Sequence, residues 1–190
     1  MRRVILVSGP QGAGKSTFCK EIVEHRPEIT LIERDAILVE LFGQTSLDPY
    51  SGDHQCGEVI MWQRVEEALS NHENADMILD TWCGYPISRT RCAQRLRALD
   101  VEIVDLWYFV TAEDICLQQY ESRETSCLQA QKAGPISVWQ RESICSCCRQ
   151  NFRLFHSMPV EESPSDSEFD NIKFINPCQM TFVPYADLLL

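Results

Sequence analysis

Four apolar residues in succession, Val4-Ile5-Leu6-Val7, follow the charged start of the chain without any alternation. A strand with one wet face alternates, whereas a strand covered on both faces does not, so this run predicts a buried strand of a parallel sheet. Thr30-Leu31-Ile32 and Met77-Ile78-Leu79 predict a second and a third strand, and Val101 to Val110 a fourth with mixed alternation. Between them the period becomes helical. Phe18, Cys19, Ile22 and Val23 recur at i, i+4, and Pro27 ends the helix they mark. Asp35 to Phe42 predicts a short helix stopped by Gly43. Met61, Val65, Ala68 and Leu69 line another, and Pro86 opens one that runs to Leu99. A further helix begins near Ala112 with Ile115, Cys116 and Gln119, and one more spans Ile136 to Phe155.

The remaining stretches read as connections. Gln44 to Gly57 is rich in Ser, Asp, Pro and Gly, Ser122 to Gly134 is polar and aperiodic, and Pro159 to Asp170 is a Pro/Ser/acid linker. From Ile172 the chain is apolar again, broken by Pro177 and Pro184, and one short strand without a fixed position is expected there. Strands alternating with helices predict an α/β fold of three layers, with a central parallel sheet of four or five strands flanked by helices. The length of 190 residues suits one domain, expected over 1–158 with a lid around 121–136. An acidic linker at 159–171 and a C-terminal extension at 172–190, packed on the same domain, would follow.

Chemistry enters at the end of the first strand. Gly9-Pro10-Gln11-Gly12-Ala13-Gly14-Lys15-Ser16-Thr17 matches G-x-x-x-x-G-K-[ST] between an apolar strand and a helix, the context that this P-loop pattern requires. Its glycines permit backbone torsions closed to other residues, so that successive N–H groups face one anion. The helix N-terminus adds positive potential there. Lys15 supplies a full charge to the β and γ phosphates of a nucleotide, and the Ser16 hydroxyl is suited to ligating Mg²⁺. Asp80 closes the third strand as a Walker B carboxylate does, holding magnesium through water or facing a substrate; capping the following turn is its other use. An Asn-Lys-x-Asp guanine-reading motif is missing from the sequence, which favours ATP over GTP.

Glu33-Arg34-Asp35 directly follows the second strand, at the sheet edge where ligands of parallel sheets gather. A carboxylate at Asp35 is positioned to take a proton from an attacking hydroxyl; as an N-cap it would merely start a helix. Arg89, Arg91, Arg95 and Arg97 lie on one helix, and Arg91 and Arg95 share a face that would track a phosphate backbone, although solvated arginines balancing an acidic surface are commoner. Trp62, Trp82 and Tyr85 are candidate stacking surfaces or core.

Composition narrows the setting. Net charge is −11 at pI about 4.8, and a remainder of −6 persists when Glu161, Glu162, Asp166, Glu168 and Asp170 are set aside. Such acidity opposes unaided binding to duplex nucleic acid. Ten cysteines with no signal peptide read as reduced thiols, and Cys145, Cys147 and Cys148 with His156 show only half of a zinc pattern, so packing is the plainer use. Apolar residues make up 44% of the chain, yet no run nears the roughly 20 needed to cross a bilayer. A cytoplasmic protein that does not enter membranes is expected. Nothing in the sequence speaks to oligomeric state.

On Ile5-Leu6 leading into Gly9 to Thr17, Ile32-Glu33-Arg34-Asp35, Ile78-Leu79-Asp80-Thr81, and Arg123 in a polar segment ending at Pro135-Ile136, the first 155 or so residues resemble a known family. It is the kinase domain of bacteriophage 5′-polynucleotide kinases, grouped with zeta toxins and small-metabolite kinases among AAA-type ATP-binding proteins. The resemblance implies that Asp35 is the general base and that Arg123, in a lid, stabilises the transferring phosphoryl group. Two positions depart from the pattern. Leu38 stands where the phage enzymes carry an Arg for the phosphate of their nucleic-acid substrate, and Trp82 where Asn is typical. The expectation is an ATP- and Mg²⁺-dependent kinase with a small or mononucleotide-sized acceptor. A 5′-hydroxyl polynucleotide kinase and an ATP-binding regulatory module of low turnover are the alternatives.

Overall fold

The computed structural model describes residues 1–43, 45, 52–71, 76–119, 121–122, 164 and 168–178. Five parallel strands form one sheet in the order β2-β3-β1-β4-β5: β1 Arg3–Ser8, β2 Thr30–Glu33, β3 Asp76–Asp80, β4 Ile103–Phe109 and β5 Ile172–Ile175. The helices are α1 Lys15–His25, α2 Arg34–Phe42, α3 Asp53–Asn71 and α4 Pro86–Ala98, and residues 113–119 are also helical. β1 is central, with Val4 and Leu6 in the core on one face and Ile5 and Val7 in the core on the other. Its unbroken hydrophobicity is therefore a consequence of having helices on both sides.

The first face is filled by Met61, Trp62, Val65 and Leu69 of α3 and by Ala93 and Leu96 of α4; the second by Phe18, Cys19 and Ile22 of α1. Phe18 meets Trp107 and Phe109 of β4 edge-on, with ring centroids 5.8 and 5.5 Å away. This fixes the helix that follows the P-loop against the strand beside β1.

The structure corrects several expectations. The segment read as a loop to Gly57 is helical from Asp53, where the Cys56 N–H donates to the Gly52 carbonyl at 3.0 Å. Its glycine marks a close approach rather than a loop: a Cβ on Gly57 would collide with Cδ2 of Leu38, so a larger residue there would force the Leu38 side chain to move. The fourth strand is shorter than Val101 to Val110, because the Val101 N–H turns back to the Leu96 carbonyl at 3.2 Å. The unplaced C-terminal strand is β5, paired with β4 at the sheet edge.

Of the expected linker, Phe169 is buried, and Asp170 accepts from the Val104 N–H at 2.7 Å and from Arg97 at 2.5 Å, so this part is fixed to the sheet. A buried ion pair not legible in the sequence joins Arg3 to Asp105 at 2.6 Å, and Asn171 donates to the same carboxylate at 2.8 Å. The expected helix over Ile136 to Phe155, nearly all of the lid, and Cys145, Cys147, Cys148 and His156 lie outside the described residues.

Candidate functional site at the carboxyl edge of the sheet

The loop of residues 9–14 joins β1 to α1. Gly12 adopts φ +77°, and the direction in which a Cβ would extend is filled by the Cys116 carbonyl, so a side chain there is excluded by torsion and by space. Gly14 is the left-handed N-cap of α1 at φ +84°, and no side chain occupies the cap. The first N–H groups of α1 therefore have no side-chain acceptor at the cap and suit an anion. Ala13 is buried beneath the loop, and the Gln11 amide oxygen is enclosed without a hydrogen-bond partner among the described residues. Lys15 folds back across the loop, its Nζ donating to the carbonyls of Gly9 at 3.1 Å and Pro10 at 2.8 Å. Thr17 is exposed.

Ser16 and Asp80 meet here. The Ser16 hydroxyl donates to Oδ2 of Asp80 at 2.7 Å, across the pairing of β1 with β3. Burial raises the Asp80 carboxyl above the ordinary aspartate range, while Lys15 and the Ser16 hydroxyl pull it down. A hydroxyl and a carboxylate are hard oxygen donors. Magnesium takes one or two such protein ligands and completes its octahedron with water and phosphate, so this pair fits it. Capping is not the observed use of Asp80, whose carboxylate is bonded to Ser16 rather than to the following turn.

β2 pairs with β3 in parallel, Glu33 beside Asp80, which brings Arg34 and Asp35 to the same edge. Asp35 lies in the first turn of α2 and its side chain is 63% exposed. Arg34 donates to it at 2.8 Å. The N-cap of α2 is Glu33 and no side chain makes a capping bond, so Asp35 is not the cap. Glu33 is paired with Lys20 at 3.3 Å, and burial raises its carboxyl despite that cation. This pair had no signature in the sequence.

Past β3, Trp82 stands at the surface, its ring centroid 5.1 Å from that of Tyr85. Trp62, by contrast, is core. The turn is tied to β1 by Ser8, whose hydroxyl donates to the Cys83 carbonyl at 2.9 Å, and by the Cys83 thiol on the Val7 carbonyl at 3.0 Å. Burial pushes that thiol to about 12, so it stays protonated. Leu38 is fully buried in the α2–α3 seam.

Three of the four arginines of α4, Arg91, Arg95 and Arg97, are solvated as expected, and Arg89 is the exception. Arg89 is buried, donating to the Gly84 carbonyl at 2.8 Å. Arg95 lies 4.3 Å over the Trp62 ring and pairs with Glu66, and Arg97 bonds Asp170 and the Glu102 carbonyl. Arg91 is exposed. Arg123 lies outside the described residues.

A P-loop on the central strand of a five-stranded parallel sheet, with Lys15, Ser16 and Asp80 converging, defines a P-loop NTPase domain of the kinase-like type. The chain belongs to the AAA domain family, whose model matches residues 4–142. No curated protein sequence matches it. Among solved structures, a candidate kinase from Chloroflexus aurantiacus is 14% identical at TM-score 0.66, over 99% of this chain and 96% of that one. A structure from the PezAT chromosomal toxin–antitoxin system of Streptococcus pneumoniae is 17% identical at TM-score 0.60, over 96% and 71%. The tunicamycin resistance protein of Deinococcus radiodurans is 14% identical at TM-score 0.54, over 100% and 94%. These likenesses show a shared fold. No helix among the described residues is long and apolar enough to cross a membrane.

Proposed function

We propose that the chain is an ATP- and magnesium-dependent phosphotransferase that moves the γ-phosphate of ATP to a hydroxyl of a small or mononucleotide-sized acceptor. The observation that carries this reading is the 2.7 Å bond between Ser16 and Asp80 beside Lys15, with Asp35 two residues beyond the strand paired to Asp80. The amides of Gly12, Gly14, Lys15, Ser16 and Thr17 bind the phosphate oxygens, with Gly9, Gln11 and Ala13 shaping the loop, where the Ala13 N–H donates to the Pro10 carbonyl at 3.3 Å. Lys15 exchanges its loop carbonyls for the β and γ phosphates. Ser16, and Asp80 through water, would hold magnesium, which would supply charge neutralisation on those oxygens. Asp35 accepts the proton of the acceptor hydroxyl, and Arg123 closes over the transferring group, as the family resemblance implies. Orientation and charge stabilisation supply most of the rate in such chemistry.

The acceptor side rests on three observations. Leu38 is buried where a phosphate-binding arginine would be needed for a nucleic-acid end, Arg34 is engaged with Asp35, and Trp82 with Tyr85 offers a ring-sized surface. Duplex nucleic acid is not the proposed partner, and the thiol-rich chain suits the cytoplasm. The test is a comparison of 5′-hydroxyl oligonucleotides with nucleosides and 3′-mononucleotides as acceptors across a salt series. The small acceptors are expected to be phosphorylated with little salt dependence. Efficient labelling of long oligonucleotides, falling steeply with salt, would mean a polynucleotide kinase that uses exposed Arg91.

A further inference from the structure

The turn between β4 and the helical stretch 113–119 lies directly beneath the P-loop, because β4 pairs with β1 up to Ser8 beside Tyr108. Three points of the loop rest on this turn and on the ends of the elements it joins. Gly9 lies against Phe109, Gly12 against the Cys116 carbonyl, and the Ala13 carbonyl accepts the Thr111 hydroxyl at 3.0 Å. The first two contacts are steric and tolerate rotation of the peptide planes between them. The third is directional. Thr111 is buried, 98 residues distant in sequence, and its hydroxyl has an assigned acceptor in the loop.

A trans peptide holds its C=O and the following N–H on opposite sides of the chain, and no peptide of the described residues is cis. A bond that draws the Ala13 carbonyl down to Thr111 therefore turns the Gly14 N–H up, away from the support. Gly14 occupies a left-handed conformation with φ +84°, which for glycine has no strong steric preference over its alternatives. Without the hydroxyl, the 13–14 peptide is free to flip and present an oxygen where an anion needs a donor.

We infer that Thr111 is a positioning residue of the nucleotide site, whose hydroxyl pins the Ala13–Gly14 peptide so that the Gly14 N–H faces the phosphates. This rests on the nucleotide reading of the P-loop given above. Thr111 touches no phosphate itself; it acts through one peptide plane. Losing one oriented donor to a charged oxygen corresponds to roughly a tenfold loss of affinity.

The experiment is titration calorimetry of the full chain with ATP, and separately with inorganic pyrophosphate, for wild type, Thr111→Val and Thr111→Ser. Thr111→Val, which keeps the shape and removes the hydroxyl, is expected to weaken both ligands about tenfold. It should raise KM for ATP more than it lowers kcat, and Thr111→Ser should restore binding to within about twofold of wild type. A second measurement needs no variant: in amide NMR of the wild type, pyrophosphate should shift the Gly14 N–H downfield together with those of Lys15 and Ser16. A Thr111→Val chain that binds both ligands as wild type does, or a Gly14 amide that ignores pyrophosphate while its neighbours respond, overturns the pin alone. A wild-type chain that binds neither ligand overturns the nucleotide reading and the pin with it.

Discussion

Replacing Asp35 by asparagine preserves shape and hydrogen-bonding capacity and removes one charge, which separates catalysis from architecture at this position. The structural cost is bounded by what the carboxylate touches. Its partner is Arg34 at 2.8 Å, with side chains 23% and 63% exposed, and such a pair contributes roughly 0.2–1 kcal/mol. Its place in the first turn of α2 adds a favourable interaction with the helix dipole of about 0.3–1 kcal/mol. No capping bond is lost, since Glu33 is the N-cap and carries no side-chain cap. Asp35→Asn is therefore expected to unfold within about 2 kcal/mol of wild type. As the base that accepts the hydroxyl proton, by contrast, its loss should slow transfer by roughly 10²–10⁴-fold, or about 3–5 kcal/mol of barrier. Urea unfolding gives the first quantity, and single-turnover transfer from ATP at saturating acceptor gives the second, with ATP affinity unchanged. A variant that stays within that range of stability and keeps wild-type transfer rates would refute the base and leave Asp35 a surface ion-pair partner.

Lys15→Ala should abolish measurable ATP turnover while leaving the fold intact by circular dichroism, since Lys15 is a P-loop residue outside both core clusters. Arg3→Ala leaves the buried Asp105 carboxylate with Asn171 as its remaining described partner, and should destabilise the chain by about 3–5 kcal/mol in denaturant unfolding. Asp80 binds its proton more tightly in the fold than in the unfolded chain because it is buried. The folded state therefore holds more protons above the ordinary aspartate range, and stability declines as pH rises from that range through the raised value. Asp80→Asn is free of this decline, so in the metal-free protein its stability advantage over wild type should open with rising pH and be absent below the ordinary range, as pH-dependent melting will show. The same variant should lose magnesium-dependent turnover.

The central strand and the P-loop were legible because a local pattern encodes them: four apolar residues covered on both faces, then glycines at fixed spacing before Lys15. Asp80 was legible for the same reason, as a carboxylate terminating an apolar strand. Asp35 was located by its strand but left between base and cap. Only the geometry of α2 removes the cap, because that choice depends on which backbone torsion the chain adopts at Glu33. The start of α3 was missed since Gly52, Asp53 and Gly57 have loop composition, whereas Gly57 answers to a neighbour, Leu38, on another helix. β5 could not be placed because four residues at a sheet edge, with exposed Phe174, alternate too weakly to announce themselves. Arg89, the Arg3–Asp105 pair and Thr111 share one cause. Each is defined by a partner or a burial that only the packed sheet provides, so nothing at their own positions distinguishes them.

The central claim, transfer of the γ-phosphate through the P-loop site, is tested most directly by incubating the full chain with magnesium and γ-labelled ATP against a panel of hydroxyl acceptors. The panel spans nucleosides, mononucleotides, sugars and 5′-hydroxyl oligonucleotides, and wild type is compared with Lys15→Ala. The account predicts label covalently attached to at least one small hydroxyl acceptor with wild type, dependent on magnesium, and none with Lys15→Ala. Tight ATP binding by wild type with no labelled acceptor and negligible ADP formation would contradict it and make the chain an ATP-binding regulatory module.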